Sequence, residues 1–310
     1  MGIRGLFTRS GQRSADDDGV VVGRRSDGDP VRFDWPMQHG LVSGVTGSGK
    51  GSWQSGVIGN VAGMEDVAVV AIDMKGGVEL APWEPRLSVL AASPSDATKL
   101  LSDVQRMVET RAALLRSLGR REWSPDLGPS VLFVIDELAE MAALDPKALA
   151  AAIADPKEGK KLHLVPAKDS AAMRLDILAS IVRLSRFVHV SVLAATQYPL
   201  ASVVPSELRS NLTLKVMGRV TSSEMVNVAL GAGMASQVSA DAIGPHEQGV
   251  AYVLGAKGFE KPTRARAFFA DDDAIEARAK ATAKHRVDPT VLFDFKNDEQ
   301  EEGSVDDEAA

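Results

Sequence analysis

Gly44-Val45-Thr46-Gly47-Ser48-Gly49-Lys50-Gly51-Ser52 is the stretch whose residue types and spacing can do chemistry. A G-x-x-x-x-G-K run between an apolar strand and a helix start makes a phosphate-binding loop. Its glycines let successive N–H groups turn inward, and the positive end of the following helix adds to the attraction for an anion. Lys50 then supplies a point charge for the β- and γ-phosphates of a nucleotide. One position departs from the pattern. The residue after the lysine is Gly51, which has no hydroxyl for Mg²⁺, so Ser52, a water or another side chain must serve.

A second group of chemical residues ends the apolar run Val131-Leu132-Phe133-Val134-Ile135 with Asp136-Glu137. At the carboxyl edge of a parallel sheet, Asp136 can hold Mg²⁺ through water. Glu137 is placed to act as general base on the attacking water. The acid pair favours ATP over GTP as substrate, and the chain has no Asn-Lys-x-Asp guanine motif. Gln197 ends a later run, Ala194-Ala195-Thr196-Gln197, where its amide can meet the γ-phosphate or the attacking water.

The surrounding pattern supplies elements that can carry these groups. Val20-Val21-Val22 and Val31-Arg32-Phe33 flank a turn rich in Asp and Gly and read as a hairpin. Gly40-Leu41-Val42 precedes the loop, and Trp53 to Ala62 follows as a helix. The runs 66–73, 131–136, 189–196 and 213–220 read as buried strands, and 249–254 and 263–269 as later ones. Ser93-Pro94-Ser95-Asp96 caps a long amphipathic helix that Gly119 ends, and a further helix is expected from 170 to 186. Strands alternating with helices imply an α/β fold with a mostly parallel central sheet and flanking helices.

The composition is that of a globular protein: 310 residues, 45% hydrophobic and 25% charged. No apolar stretch has the length of a membrane-spanning helix, which points to a cytoplasmic chain. Cysteine is absent, and the five histidines lack ligand spacing. Net charge is −7, but seven acids fall between Asp298 and Glu308; without them acids and bases are equal, 35 of each. A basic, flexible start (1–19), an ATPase domain (20–270), a C-terminal helix and connector (271–296) and an acidic, disordered tail (297–310) are expected.

The glycine loop, Asp73-Met74-Lys75-Gly76-Gly77-Val78-Glu79-Leu80, Asp136-Glu137-Leu138-Ala139 and Ala195-Thr196-Gln197-Tyr198-Pro199, in that order, resemble the FtsK/SpoIIIE group of hexameric DNA translocases. The likeness runs from Val22-Gly23 past Leu208-Arg209-Ser210-Asn211 and Val220-Thr221-Ser222-Ser223 to about residue 256. Lys-Gly-Ser after the glycine loop resembles the actinobacterial plasmid-transfer branch. The resemblance implies a RecA-like P-loop ATPase, with ATP and Mg²⁺ as cofactors. It further implies a homo-oligomeric ring, double-stranded DNA as partner, and recruitment to the inner face of a membrane by transfer proteins. An arginine from the neighbouring subunit would complete each site; Arg183, Arg186, Arg209 and Arg219 are candidates, with Arg186 at a family motif position. The implied role is conjugative transfer of plasmid or integrative-element DNA. Chromosome segregation, a nucleotide-binding switch and a protein-moving secretion ring are the alternatives. The stretch from 271 to 310 is expected to be too short for the family's winged-helix DNA reader, so sequence-specific DNA recognition is not expected of it.

Overall fold

The computed structural model describes residues 20–142 and 171–293. The expectations for 1–19 and for the acidic tail lie outside these residues.

Ten strands form one sheet in the order β2-β1-β10-β9-β8-β3-β7-β6-β4-β5. Its parallel part comprises β8 (Leu214–Met217), β3 (Gly40–Ser43), β7 (Val190–Thr196), β6 (Ser130–Ile135), β4 (Val67–Ile72) and β5 (Val89–Ala91). An antiparallel wing adds β9 (Val250–Leu254), β10 (Thr263–Ala267), β1 (Val20–Arg25) and β2 (Pro30–Phe33). The connections β1–β2 and β9–β10 are too short for a crossover, so those pairs must run antiparallel. The sheet is therefore mixed but mostly parallel.

Every residue of β4 and β7 is buried, as uninterrupted apolar strands covered on both faces should be. Alternation divides β6 between two cores. Val131, Phe133 and Ile135 meet α2 (Pro94–Ser117) and α4 (Ala171–Leu184), whereas Leu132 and Val134 face the core of α1 (Lys50–Val61) and α7 (Asp272–Thr282). Helix α2 starts as its sequence dictates: Ser93 Oγ accepts from the Asp96 N–H at 3.2 Å, with Pro94 in the first turn. Between these helices lie α3 (Leu138–Ala142), directly after the acid pair, and later α5 (Ser206–Asn211). A smaller apolar cluster seats α6 (Ser223–Leu230) on Met217 and Val250. The short α8 (Pro289–Phe293) closes the described chain and buries Leu292. Strand β5 and helices α3, α5, α6 and α8 had no counterpart in the sequence reading.

His39, fully buried, ties β3 to its neighbours. Its Nδ1 accepts from Val192 N–H at 3.0 Å and its carbonyl from Leu214 N–H at 3.0 Å. Burial, reinforced by the Arg186 charge, lowers its pKa to about 4, so the ring is neutral. Among the described residues no helix is long and apolar enough to cross a membrane.

Candidate nucleotide site

Parallel strands bring the ends of β3, β4, β6 and β7 to one edge of the sheet. This edge gathers the glycine loop, Asp73, Asp136-Glu137 and Gln197, which lie far apart in sequence. The loop is pinned by main-chain bonds: Gly44 N–H donates to Thr196 O at 3.1 Å and Val45 N–H to Arg219 O at 2.9 Å. Gly249 N–H, at the start of the antiparallel wing, donates to Ser48 O at 2.9 Å. Gly49 has φ +90°, and a Cβ there would lie 2.1 Å from Gly249 N, so only glycine fits. Gly49 also caps α1, whose first turn contains no acid and no side-chain cap. The positive helix end is thus left unopposed by any side chain of its own helix.

Lys50 Nζ donates to Asp136 Oδ1 at 2.8 Å and to the Asp136 carbonyl at 2.7 Å. Asp136 and Glu137 are both buried, yet Asp136 Oδ2 accepts no hydrogen bond. Glu137 is held from the next strand: Gln197 N–H donates to Oε1 at 3.0 Å and Oε2 at 3.1 Å, and Ala139 N–H reaches Oε1 at 3.3 Å. Gln197 turns its side-chain carbonyl to the loop, accepting from Thr46 Oγ1 at 2.8 Å. One residue therefore bridges the general-base candidate and the phosphate loop.

Sequence reasoning counted Lys50 as the cation here, but a second is present. Lys75 Nζ lies 3.4 Å from Glu137 Oε2 and 3.7 Å from Asp136 Oδ2. Burial opposes its charge, but Asp136, Glu137 and Glu79 outweigh that and raise its pKa above the ordinary lysine value. The signal was there in Asp-Met-Lys-Gly-Gly. What sequence alone lacked was the adjacency of β4 and β6.

The donor set fits a Mg²⁺ ion that arrives with a nucleotide. Asp136 Oδ2, which accepts no hydrogen bond, can serve the ion or its water, and Ser52 stands in the first turn of α1. Among the described residues no cluster of three acids or histidines could hold a metal without such help. A side chain added at Gly51 would meet nothing within 4 Å.

The arginines divide between the two sheet edges. Arg186 is exposed in the turn before β7, and Arg209 is in α5 before β8; both precede the amino ends of their strands, away from this chain's own loop. Arg183 is exposed near the end of α4. Arg219 follows β8 and meets the loop through its carbonyl.

Residues 7–182 match the FtsK/SpoIIIE family. The chain is 28% identical over 245 residues to the transfer protein TraSA of Streptomyces ambofaciens, covering 72% of this chain and 52% of that protein. It is 27% identical over 269 residues to the DNA translocase FtsK of Streptomyces avermitilis, covering 78% of this chain and 26% of that protein. It thus spans about half the length of the first of these relatives and about a quarter of the second. The pCW3 conjugation coupling protein TcpA, in its monomer form with ATPγS, superposes with a TM-score of 0.66 at 22% identity, covering 83% of this chain and 68% of that one. The cytoplasmic domain of the type VII secretion ATPase EccC of Thermomonospora curvata gives 0.64 at 20% identity, covering 93% and 33%. These neighbours establish the fold as that of P-loop ATPases. With a match that spans more than half of its length and the ordered loop, acid pair and Gln197 at one sheet edge, the chain belongs to the FtsK/SpoIIIE family.

Proposed function

We propose that this protein hydrolyses ATP to move double-stranded DNA through a ring of identical subunits, in the manner of conjugative plasmid transfer. The observation that carries the reading is the single sheet edge where Lys50 meets Asp136 while Gln197 joins Glu137 to Thr46. Lys50 and the amides of the loop from Gly44 to Gly49 bind the phosphates. Asp136 with Ser52 or water holds Mg²⁺, which offsets phosphate charge when bound. Glu137 takes the proton of the attacking water, and the Thr46–Gln197 contact reports whether a terminal phosphate is present. Arg186, at the opposite edge, is available to a neighbour's site rather than its own, as a ring requires.

The partner reading draws support from the wing. Arg24 and Arg266 stand directly opposite across the β1–β10 ladder, both exposed, with exposed Arg264 further along β10 in an ion pair with Glu247. Like charges facing each other across strands are unfavourable alone, and they favour a ligand with repeated phosphates. The test is the ATPase rate of assembled protein against duplex length and salt. We expect stimulation that grows with duplex length, varies little with sequence and falls steeply as salt rises. A rate indifferent to DNA at low salt refutes the translocase and leaves a nucleotide switch or a protein-moving ring.

A further inference from the structure

The turn after β4 is built to aim one lysine. Asp73 is fully buried, and its carboxylate accepts the N–H groups of Lys75 at 3.1 Å, Glu79 at 2.9 Å and Leu80 at 3.2 Å. Gly77 N–H closes the turn onto Asp73 O at 3.0 Å. Residue 75 enters this turn only through its main-chain N–H, and none of these bonds uses its side chain. The side chain is spent wholly on the neighbouring strand, whose Ile135 pairs with Ile72 of β4. There it meets Glu137 and Asp136, while Lys50 holds the other oxygen of Asp136.

The result is two ammonium groups on two buried carboxylates, a cluster balanced in charge with no ligand present. An incoming triphosphate upsets that balance. Its terminal phosphate carries close to two negative charges and three strong acceptors, and competes well for a cation. Glu137 can release Lys75 without being orphaned, because the N–H groups of Gln197 and Ala139 remain on it. Lys75 can leave because its side chain is about a quarter exposed, at 26%.

We propose that Lys75 is a second phosphate-directed cation and the latch on Glu137, resting on the reading of this site as an ATPase. Without a triphosphate, Lys75 holds Glu137. With one, its ammonium moves to the terminal phosphate and frees Glu137 for water. Water then attacks the terminal phosphorus, its proton passes to Glu137, and the bond to the bridging oxygen breaks to give a diphosphate and inorganic phosphate. Lys75 thereby makes the site discriminate triphosphate from diphosphate, whereas Lys50 serves both.

The experiment uses the full chain with Lys75→Met, Lys75→Gln and Lys75→Arg, titrated with ATPγS and with ADP, and assayed for phosphate release. Lys75→Met and Lys75→Gln should narrow the preference for ATPγS over ADP by about tenfold, leave ADP affinity within about twofold, and lower kcat by roughly a hundredfold. Lys75→Arg, which keeps the charge, should recover much of both. An unchanged ATPγS-to-ADP ratio and kcat in the two neutral variants overturns the proposal while the ATPase reading stands. Equal loss of both nucleotides, not rescued by Lys75→Arg, also overturns it and makes the lysine a support of the turn. Wild-type protein that binds neither nucleotide refutes the ATPase reading itself, and the latch with it.

Discussion

Adding one methyl group at each of three loop positions should give three different outcomes. At Gly51, already helical, nothing lies within 4 Å of the new Cβ. Gly51→Ala should therefore leave nucleotide binding intact and raise stability by about 0.5–1 kcal/mol through helix propensity. At Gly47 there is also open space, but φ is +76°. Gly47→Ala meets only the left-handed penalty of about 1–2 kcal/mol, roughly a tenfold loss in nucleotide affinity if the ordered loop is needed for binding. Gly49 combines φ +90° with a Cβ only 2.1 Å from Gly249 N, far inside the 3.4 Å of ordinary contact. The loop and wing must part by about an ångström. That breaks the Gly249–Ser48 bond and strains the bond that Trp53 Nε1 donates to Gly249 O at 3.1 Å. Two hydrogen bonds at about 1 kcal/mol each, added to the backbone penalty, make the loss about 3–4 kcal/mol, or several hundredfold. Titration with a fluorescent ATP analogue, beside a thermal melt of each variant, reads the series. If Gly49→Ala binds as well as Gly47→Ala, the wing does not hold the loop and the reasoning fails.

Lys50→Ala should abolish binding of ATP and ADP alike, whereas Glu137→Gln should keep ATP binding and lose turnover; near-normal hydrolysis in Glu137→Gln removes the general-base assignment. Gly51→Ser should be tolerated, and a Mg²⁺ titration of Ser52→Ala separates a direct hydroxyl ligand, which raises the Mg²⁺ requirement, from water, which leaves it unchanged. His39 has a folded pKa depressed to about 4, so the unfolded chain binds the extra proton between about pH 6.5 and 4. Its stabilising contribution is full above pH 6.5 and declines by about 3 kcal/mol on acidification to pH 4. Chemical denaturation across that range should show a shallower slope in His39→Gln than in the wild type. Deleting residues 298–310 should leave ATP hydrolysis intact and DNA affinity equal or higher, since the acidic tail adds only like-charge repulsion; weaker DNA binding in a filter assay would contradict this.

The phosphate loop, the acid pair and most strands were legible because each is written locally. A glycine run between strand and helix, or five apolar residues ending in Asp-Glu, has one ready structural meaning. The antiparallel hairpin of β1 and β2 was legible for the same reason. Its place in the sheet was not, since Gly23 pairs with Ala267 and nothing near either residue announces the other. Lys75 stood in a recognised motif without a role, because its target lies on a strand more than fifty residues onward. Gly249 entered only as the first residue of an expected late strand; its use emerges from its contact with Gly49. Strand β5 escaped because three residues are too few to show a period.

The pairing of β1 with β10 also orders events in time. Strands β4, β5, β6 and β7, with helices α2 and α4, can assemble from stretches that follow one another along the chain. Inserting β1 between β2 and β10 must await contact between the two ends of the described chain, the kind of distant pairing that slows folding. The hydrogen bond from Gly249 to the phosphate loop depends on that late closure. Competence to hold a nucleotide should therefore appear at the end of refolding, after most of the secondary structure has formed.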